Sequence, residues 1–183
     1  MIDDVSLLID LIRSRRLGKY RGTVVDNADP SSRGRLRVRC QAALGDTEAW
    51  AMPCVPYAGP GVGLVALPPI GAGVWVEFEG GDPSFPIWVG CFWADHEAPE
   101  QANPDIKIWR TDKLTLRLDD AAARLQAASD DGAQITLTGT AVTEVGTTRH
   151  TVDTTSVTAE SGAAKVAVGP ASVSINDGAL EVR

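Results

Sequence analysis

The side chains able to do catalytic or metal-binding chemistry are few in this sequence and lie far apart. His96 and His150 are its two histidines, and neither has a second histidine or a cysteine nearby at ligand spacing. Asp130 and Asp131 are adjacent in Ser-Asp-Asp-Gly, which is typical of a solvated turn. No nucleophile, base and orienting group occur in a recognisable pattern. The sequence therefore predicts a non-enzymatic protein with no catalytic residues and no cofactor.

The cysteines and His150 are the remaining candidates for special chemistry. Cys40, Cys54 and Cys91 are odd in number and widely spaced, so they are predicted to be small buried hydrophobes and not disulfide partners. His150 would bind a metal ion if three chains brought three imidazoles to a common axis. Its neighbours Thr148 and Thr151 are equally compatible with an outward orientation. No metal is therefore assigned, and His150 stays a minor candidate for an axial site.

The composition and net charge of the chain limit the kinds of protein that it could be. The chain has 183 residues, 44% of them hydrophobic, with 17 basic and 24 acidic residues and a net charge of −7. A folded protein is expected, and the acidic balance disfavours binding to nucleic acid. The N-terminus carries its acids first and its basic residues last, the reverse of a secretion signal, and no apolar run is long enough to span a membrane. No sequence-encoded export is therefore expected.

A break in composition near position 100 predicts two architectures. All aromatic residues except Trp109 lie between Tyr20 and Trp93, and Pro170 is the one proline after Pro104, whereas threonines concentrate beyond Thr111. We predict an N-terminal helix over 1–18, a barrel over 19–97, a linker over 98–105 and a strand repeat over 106–183.

The first segment has the spacing of an amphipathic helix. Val5, Leu8, Ile9 and Ile12 recur at i, i+3, i+4 and i+7. The stripe packs either against its own domain or against another subunit or partner, and these four residues are the predicted docking residues.

From Lys19 to Trp93 the pattern is one of short strands and Gly/Pro turns. Alternating segments such as Arg35–Arg39 and Val74–Phe78, with a further strand from Gly63 to Leu67, suggest five or six strands in a small barrel of the OB type. The residues that define the pattern are Asp29, Pro30, Gly34, Arg35, Trp50, Pro69, Gly71, Phe78, Gly80, Gly81, Asp82, Pro83, Pro86 and Gly90.

In order and spacing these residues resemble the N-terminal barrel of phage baseplate assembly protein V, the family that supplies the central spike of contractile tails and injection systems. Phe78-Glu-Gly-Gly-Asp-Pro83, followed by Pro86 and Val89-Gly90, is the most specific part. The resemblance implies a trimeric spike in a virion or particle baseplate, with an OB barrel and a C-terminal intertwined β-helix. Some relatives carry a muramidase domain, for which this chain has no room, and others end in a His-x-His metal tip, which this chain lacks.

The second region is a quasi-repeat of alternating strands. Aliphatic residues alternate with small or polar ones from Ile106 and Ile108 through the leucines 114, 116 and 118 to the C-terminus. Each strand offers two or three aliphatic residues on one face, too few to close a core in one chain. A homotrimer in the form of a triangular prism would bury them. The predicted needle core includes Val166, Val168, Val173, Ile175, Leu180 and Val182.

The predicted function is a structural central spike that docks to a trimeric baseplate hub and pierces the target cell envelope on sheath contraction. The resemblance also implies a conical tip protein of the proline-alanine-alanine-arginine (PAAR) repeat family. Two alternatives stay open: an OB module that binds an oligonucleotide or oligosaccharide through Arg33, Arg35, Arg37 and Arg39, and a trimeric receptor-binding fibre. Alternation puts the last three arginines on one strand face, where a solvated surface or ion pairs between subunits are expected.

Overall fold

The computed structural model describes residues 3–100 and 103–182. The chain divides into two compact units, the first ending at Glu97 and the second beginning at Ala98. The first contains a closed five-stranded barrel and the second a ten-stranded antiparallel sheet, which confirms the mainly β fold with an OB-like barrel followed by a long sheet. Within the described ranges, no helix is long and apolar enough to cross a membrane.

Helix α1 (Asp3–Ser14) precedes the barrel. Its side chains at Leu8, Ile9, Leu11 and Ile12 are between 41% and 59% exposed, so the apolar stripe predicted from their spacing has little cover from its own unit. The side chain of Val5, the other predicted docking residue, lies outside the described part of the chain.

The barrel closes in the order β1–β2–β3–β7–β6, with β3 and β7 parallel and the other neighbours antiparallel. The elements are β1 (Tyr20–Asp26), β2 (Leu36–Arg39), α2 (Gln41–Leu44), β3 (Glu48–Pro53), β4 (Ala58–Gly59), β5 (Val62–Gly63), β6 (Gly73–Phe78), a 3-10 turn (Glu79–Gly81) and β7 (Pro86–Phe92).

Alternation along the strands fills the barrel. Val24, Leu36, Val38, Val74 and Val76 are all fully buried because every second residue of β1, β2 and β6 points inward. Burial of side chains of this size contributes about 1.5–3 kcal/mol each.

The predicted strand from Gly63 to Leu67 is wrong. Only the two-residue strands β4 and β5 form there, and Leu64, Val65 and Leu67 lie in an exposed coil. Two prolines follow at positions 68 and 69, and a proline has no N–H to donate to a sheet ladder.

The cysteine prediction holds for one residue of three. Cys40 is fully buried in the barrel core, and burial raises the pKa of its thiol. Cys54 and Cys91 are exposed instead, and all three thiols are free. Cys54 directly follows β3, where the chain leaves the barrel wall. Cys91 lies next to the end of β7, after the shift in the β6–β7 register, where it pairs with Val74 and is exposed although partial burial raises the pKa of its thiol.

Ten strands make up the sheet of the second unit, each paired with its neighbours in sequence. They are β8 (Ile106–Arg110), β9 (Leu114–Asp119), β10 (Arg124–Ser129), β11 (Ala133–Leu137), β12 (Ala141–Val145), β13 (Thr148–Val152), β14 (Val157–Ser161), β15 (Ala164–Val168), β16 (Val173–Ile175) and β17 (Leu180–Val182).

Cross-strand pairing places the residues of all ten strands in columns, and alternate residues of each strand belong to opposite faces of the sheet. On the face that we call the apolar face, the centre column consists of Trp109, Leu116, Ala127, Ile135, Thr143, His150, Ala159, Val166, Ile175 and Leu180. A second column beside it consists of Lys107, Leu118, Leu125, Leu137, Ala141, Val152, Val157, Val168, Val173 and Val182.

Two aliphatic positions of the repeat fall on the other face. Ile106 lies opposite Asp119, and Ile108 lies opposite Arg117. In β9 the residues at odd positions belong to the polar face, so the isoleucines of β8 do not extend the leucine columns. Alternation alone does not show this, because the relative register of β8 and β9 depends on the turn between them.

Candidate assembly surfaces

A loop between β1 and β2 is organised by the carboxylate of Asp29. Its oxygens accept hydrogen bonds from the backbone N–H groups of Ser31 (3.0 Å), Arg33 (2.8 Å) and Arg35 (3.3 Å). The Arg35 side chain donates to Asp29 Oδ1 from Nε (3.0 Å) and Nη2 (2.7 Å). The guanidinium first, and the loop N–H groups after it, hold the pKa of Asp29 well below its usual range. These contacts give the Asp29-Pro30 and Gly34-Arg35 pieces of the sequence pattern a structural role.

The arginines just before and within β2 are partly neutralised by carboxylates of the same chain. Arg35 pairs with Asp29 and lies over the Trp50 ring, 5.4 Å from its centroid. Arg37 and Arg39 both pair with Glu48 on β3, over 2.9 Å and 2.7 Å. Two carboxylates therefore offset two of the three positive charges, which weakens the case for a phosphate-binding surface at this strand.

The Gly80-Gly81-Asp82-Pro83 turn fastens the segment that leads from α1 into the barrel. Arg15 Nη1 donates to the Gly80 carbonyl oxygen (2.8 Å), and the Arg16 N–H donates to the Gly81 carbonyl oxygen (2.8 Å). Gly81 has φ +79°, and a Cβ there would lie 3.1 Å from the Leu17 side chain and 3.2 Å from the Arg15 Cβ. Glycine is therefore required at this position both for its backbone conformation and for the close approach.

Arg16 adds a second anchor to the same segment. Its Nε donates to the carbonyl oxygen of Ala43 in α2, over 2.9 Å. From sequence alone, Arg15 and Arg16 are basic residues near the C-terminal end of a helix, where positive charge is favourable. Their hydrogen bonds to the barrel form only because the fold brings the Gly80-Gly81 turn and α2 close to them.

The other residues of the barrel pattern shape its strands and turns. Gly71 N–H donates to the Val24 carbonyl oxygen (2.9 Å), and the Ala72 N–H donates to that of Pro69 (3.1 Å), which closes the turn before β6. Phe78 and Pro86 are buried at the facing ends of β6 and β7. Gly90 lies in β7 close to the point where the β6–β7 register shifts.

The apolar face of the second unit exposes many large hydrophobic side chains of the described sheet. The predicted core residues Val166, Val168, Val173, Ile175, Leu180 and Val182 all lie on it. A groove of about 540 Å³, lined in part by Trp109, Leu114, Leu116 and Ile135, also opens onto this face. Exposed apolar surface of this extent marks a binding or assembly site.

The opposite face is held by a cross-strand polar ladder. Gln134 donates to Glu144, and Arg149 Nε donates to Glu144 Oε1 (2.6 Å). Arg149 and then Gln134 hold the pKa of Glu144 below its usual value. Glu160 lies opposite both Arg149 and Lys165, and its carboxylate is 3.8 Å from the Lys165 ammonium. This charged face is suited to contact with water, whereas the apolar face is not.

The histidines and paired aspartates have no ligand constellation within one chain. His96 lies in an exposed turn with φ +67°, and His150 is exposed at the middle of β13. Asp130 and Asp131 lie in the turn that the Gly132 N–H closes by donating to the Ser129 carbonyl oxygen (3.1 Å). Among residues 3–100 and 103–182 no group of three or more His, Cys, Asp or Glu side chains is placed to hold a metal ion.

Residues 20–93 match the family model described as the type VI secretion system/phage-baseplate injector OB domain. The matched range begins at the first residue of β1 and extends one residue beyond β7, so it spans the whole barrel. No curated protein matches the chain.

Proposed function

Because the chain carries a type VI secretion system/phage-baseplate injector OB domain over residues 20–93, we propose that it is the trimeric central spike of a contractile tail or tail-like injection particle. The family match supports a structural, baseplate-type role. The observation that carries the proposal further is the uncovered apolar face on the ten-stranded sheet that follows the barrel.

The proposed homotrimer packs three apolar faces around one axis as a triangular prism. The strands already pair along the sheet within one chain, so their faces remain to be covered. Strands about 4.8 Å apart and five residues wide give a strip of roughly 43 Å by 17 Å, or about 700 Å² per chain. Stable protein interfaces bury about 600–1,000 Å² per partner, and the area of the strip falls within this range. The strip is therefore large enough to hold three chains together, and its polar ladder would face outward.

Helix α1 is the proposed docking element toward a trimeric hub protein at the end of the tail tube. Its exposed stripe at Leu8, Ile9 and Ile12 is apolar, while Arg15 and Arg16 fasten the following segment to the barrel. Because the segment after the helix is hydrogen-bonded to the barrel, force on the helix would pass directly to the barrel.

The proposed mechanism is mechanical. Sheath contraction would drive the docked trimer along the tail axis, and the sheet unit would meet the target cell envelope. A prism with hydrogen-bonded strands and a dry apolar interior unfolds slowly, which a puncturing element requires. No bond-making chemistry is needed, and a catalytic group has no part in this proposal.

A tip protein at the β17 end is the second proposed partner. β17 is the last strand of the sheet, so three copies would present three edge strands there. Proteins usually cover such edges, and the resemblance noted above implies a conical PAAR-type cap. Pull-down of assembled particles tests this: a small tip protein is expected, attached to wild type and lost on deletion of residues 178–183. Recovery of the cap with the deleted chain would contradict the proposal.

Binding of an oligonucleotide or oligosaccharide is less well supported. Three of the four arginines that motivated it are paired with Asp29 or Glu48. A receptor-binding fibre that recognises sugars would need aromatic side chains to stack on the sugar rings, and Trp109 is the one aromatic residue after Trp93.

Complementation of a producing strain that lacks the coding gene tests the spike role and the docking helix together. The wild-type chain should restore envelope-puncturing particles. A Leu8→Lys/Ile12→Lys chain should remain trimeric but fail to enter particles, whereas the control Asp10→Lys, on the same helix, should enter normally. Puncturing particles assembled without the chain would contradict the spike role, and normal entry of the double variant would contradict docking through α1.

A further inference from the structure

His150 occupies an unusual position in the sheet. Among the strand residues that the structure describes from β9 to β17, it is the one titratable side chain on the apolar face. The charged residues of β9 to β17, such as Glu144, Arg149, Glu160 and Lys165, lie on the other face. A histidine placed against this trend calls for a partner when the face is covered.

Its neighbours make a polar layer in an otherwise apolar column. In the centre column Thr143 lies directly opposite His150 on one side and Ala159 on the other. The column is aliphatic, Ala or Trp at all other positions, so the two polar side chains are adjacent and fall at one level of the sheet. Ala159 leaves space beside the imidazole, and Thr143 brings a hydroxyl next to it.

We propose that three copies of His150 form a transition-metal site on the axis of the trimer. This inference rests on the proposed homotrimer, because one chain supplies one imidazole. Threefold symmetry puts the three copies at equal height and at equal distance from the axis. His150 is the middle residue of the five-residue strand β13, so it lies at the centre of one prism side, and packed sheets about 10 Å apart place that centre about 5 Å from the axis.

The donor set selects the metal. Three neutral imidazoles fit Zn²⁺, at about 2.0–2.1 Å from each nitrogen, with water as a fourth ligand. Thr143 is the cross-strand neighbour of His150, and in the proposed site its hydroxyl would hydrogen-bond the second ring nitrogen and so orient the ring. In a dry apolar core the metal satisfies the nitrogen atoms that burial would otherwise leave unpaired, and it ties three chains together at mid-length.

The experiment measures metal content and mass on the same sample. The full chain is purified from cells grown with added Zn²⁺, and zinc per chain is determined by mass spectrometry while light scattering gives the mass. One zinc per three chains is expected. His150→Asn should remove at least nine-tenths of the zinc, while His96→Asn keeps it. Growth with Co²⁺ should give the intense visible absorption of a tetrahedral site, and Thr143→Val should lower zinc affinity about tenfold or more.

The experiment distinguishes failure of the metal-site proposal from failure of the spike proposal. A trimer without stoichiometric metal, or with zinc that survives His150→Asn, overturns the metal site and leaves the spike proposal standing. A chain that is not trimeric overturns both. If His150→Asn does not fold, the metal ratio and the cobalt spectrum of the wild-type trimer decide.

Discussion

The replacement Val166→Asp puts a carboxylate into the centre column of the apolar face, where three copies would meet in the proposed trimer. Val166 lies between Ala159 and Ile175 in the register and is 42% exposed in the single chain. Each copy would lose the burial of the 42% of Val166 that is exposed in the single chain, about 1 kcal/mol. Each would also bury an unpaired charge or neutralise it, at a cost of several kcal/mol.

Taken together, three copies lose on the order of 12 kcal/mol per trimer if each charge costs about 3 kcal/mol. Because about 1.4 kcal/mol is a factor of ten, this corresponds to about nine decades in the association constant. The trimer should therefore be absent at any practical concentration. Ala167→Asp is the matched control, since Ala167 lies opposite Thr158 and Ser174 on the polar face and should change stability by about 1 kcal/mol or less.

Light scattering is the assay. Wild type and Ala167→Asp should have three times the chain mass of 19.3 kDa, and Val166→Asp should have the mass of one chain or should aggregate. Barrel tryptophan fluorescence should stay native in all three proteins. Equal loss of the trimer in both variants would show that the two faces are wrongly assigned, and an intact Val166→Asp trimer would show that this face is not the interface.

Gly81→Ala should destabilise the barrel and expose the α1 segment to trypsin, because the new Cβ would lie 3.1–3.2 Å from the side chains of Leu17 and Arg15. The control Gly71→Ala has a similar positive φ but no atom within 4 Å of the new Cβ, so it should show only the cost of backbone strain. Equal effects of the two substitutions would refute the anchoring role. Asp29 has a depressed pKa in the folded state, so its contribution to stability is present above about pH 4 and is lost as pH falls through the folded pKa. The difference in Tm between wild type and Asp29→Asn should therefore narrow below about pH 4, and a constant difference would contradict the assignment. Leu36→Ala, at a fully buried core position, should reduce the unfolding free energy of the barrel by about 2–5 kcal/mol in denaturant titrations, and a loss below 1 kcal/mol would be inconsistent with this core.

The strand pattern was predictable where alternation is strict. Positions such as Val166 and Ala167 fall on opposite faces because consecutive residues of a strand always do. The OB-like barrel was predictable from its glycine, proline and aromatic order, which the family match over residues 20–93 supports. The segment after Gly63 was not, since apolar residues in sequence do not reveal whether a partner strand is within reach.

Contacts between distant segments were also beyond the sequence. The anchoring of Arg15 and Arg16 depends on a turn more than sixty residues away and on the carbonyl oxygen of Ala43. The exposure of Cys54 and Cys91 depends on where the barrel wall ends. The face of Ile106 depends on the register across the β8–β9 turn. Each is set by tertiary geometry that local patterns do not encode.

Electron microscopy of contractile particles labelled on this chain tests the central claim most directly. The proposal predicts that every labelled baseplate shows threefold density on the tail axis, directly below the tube and associated with the hub. Label along the sheath, on peripheral fibres or off the axis would contradict the assignment of the chain as the central spike.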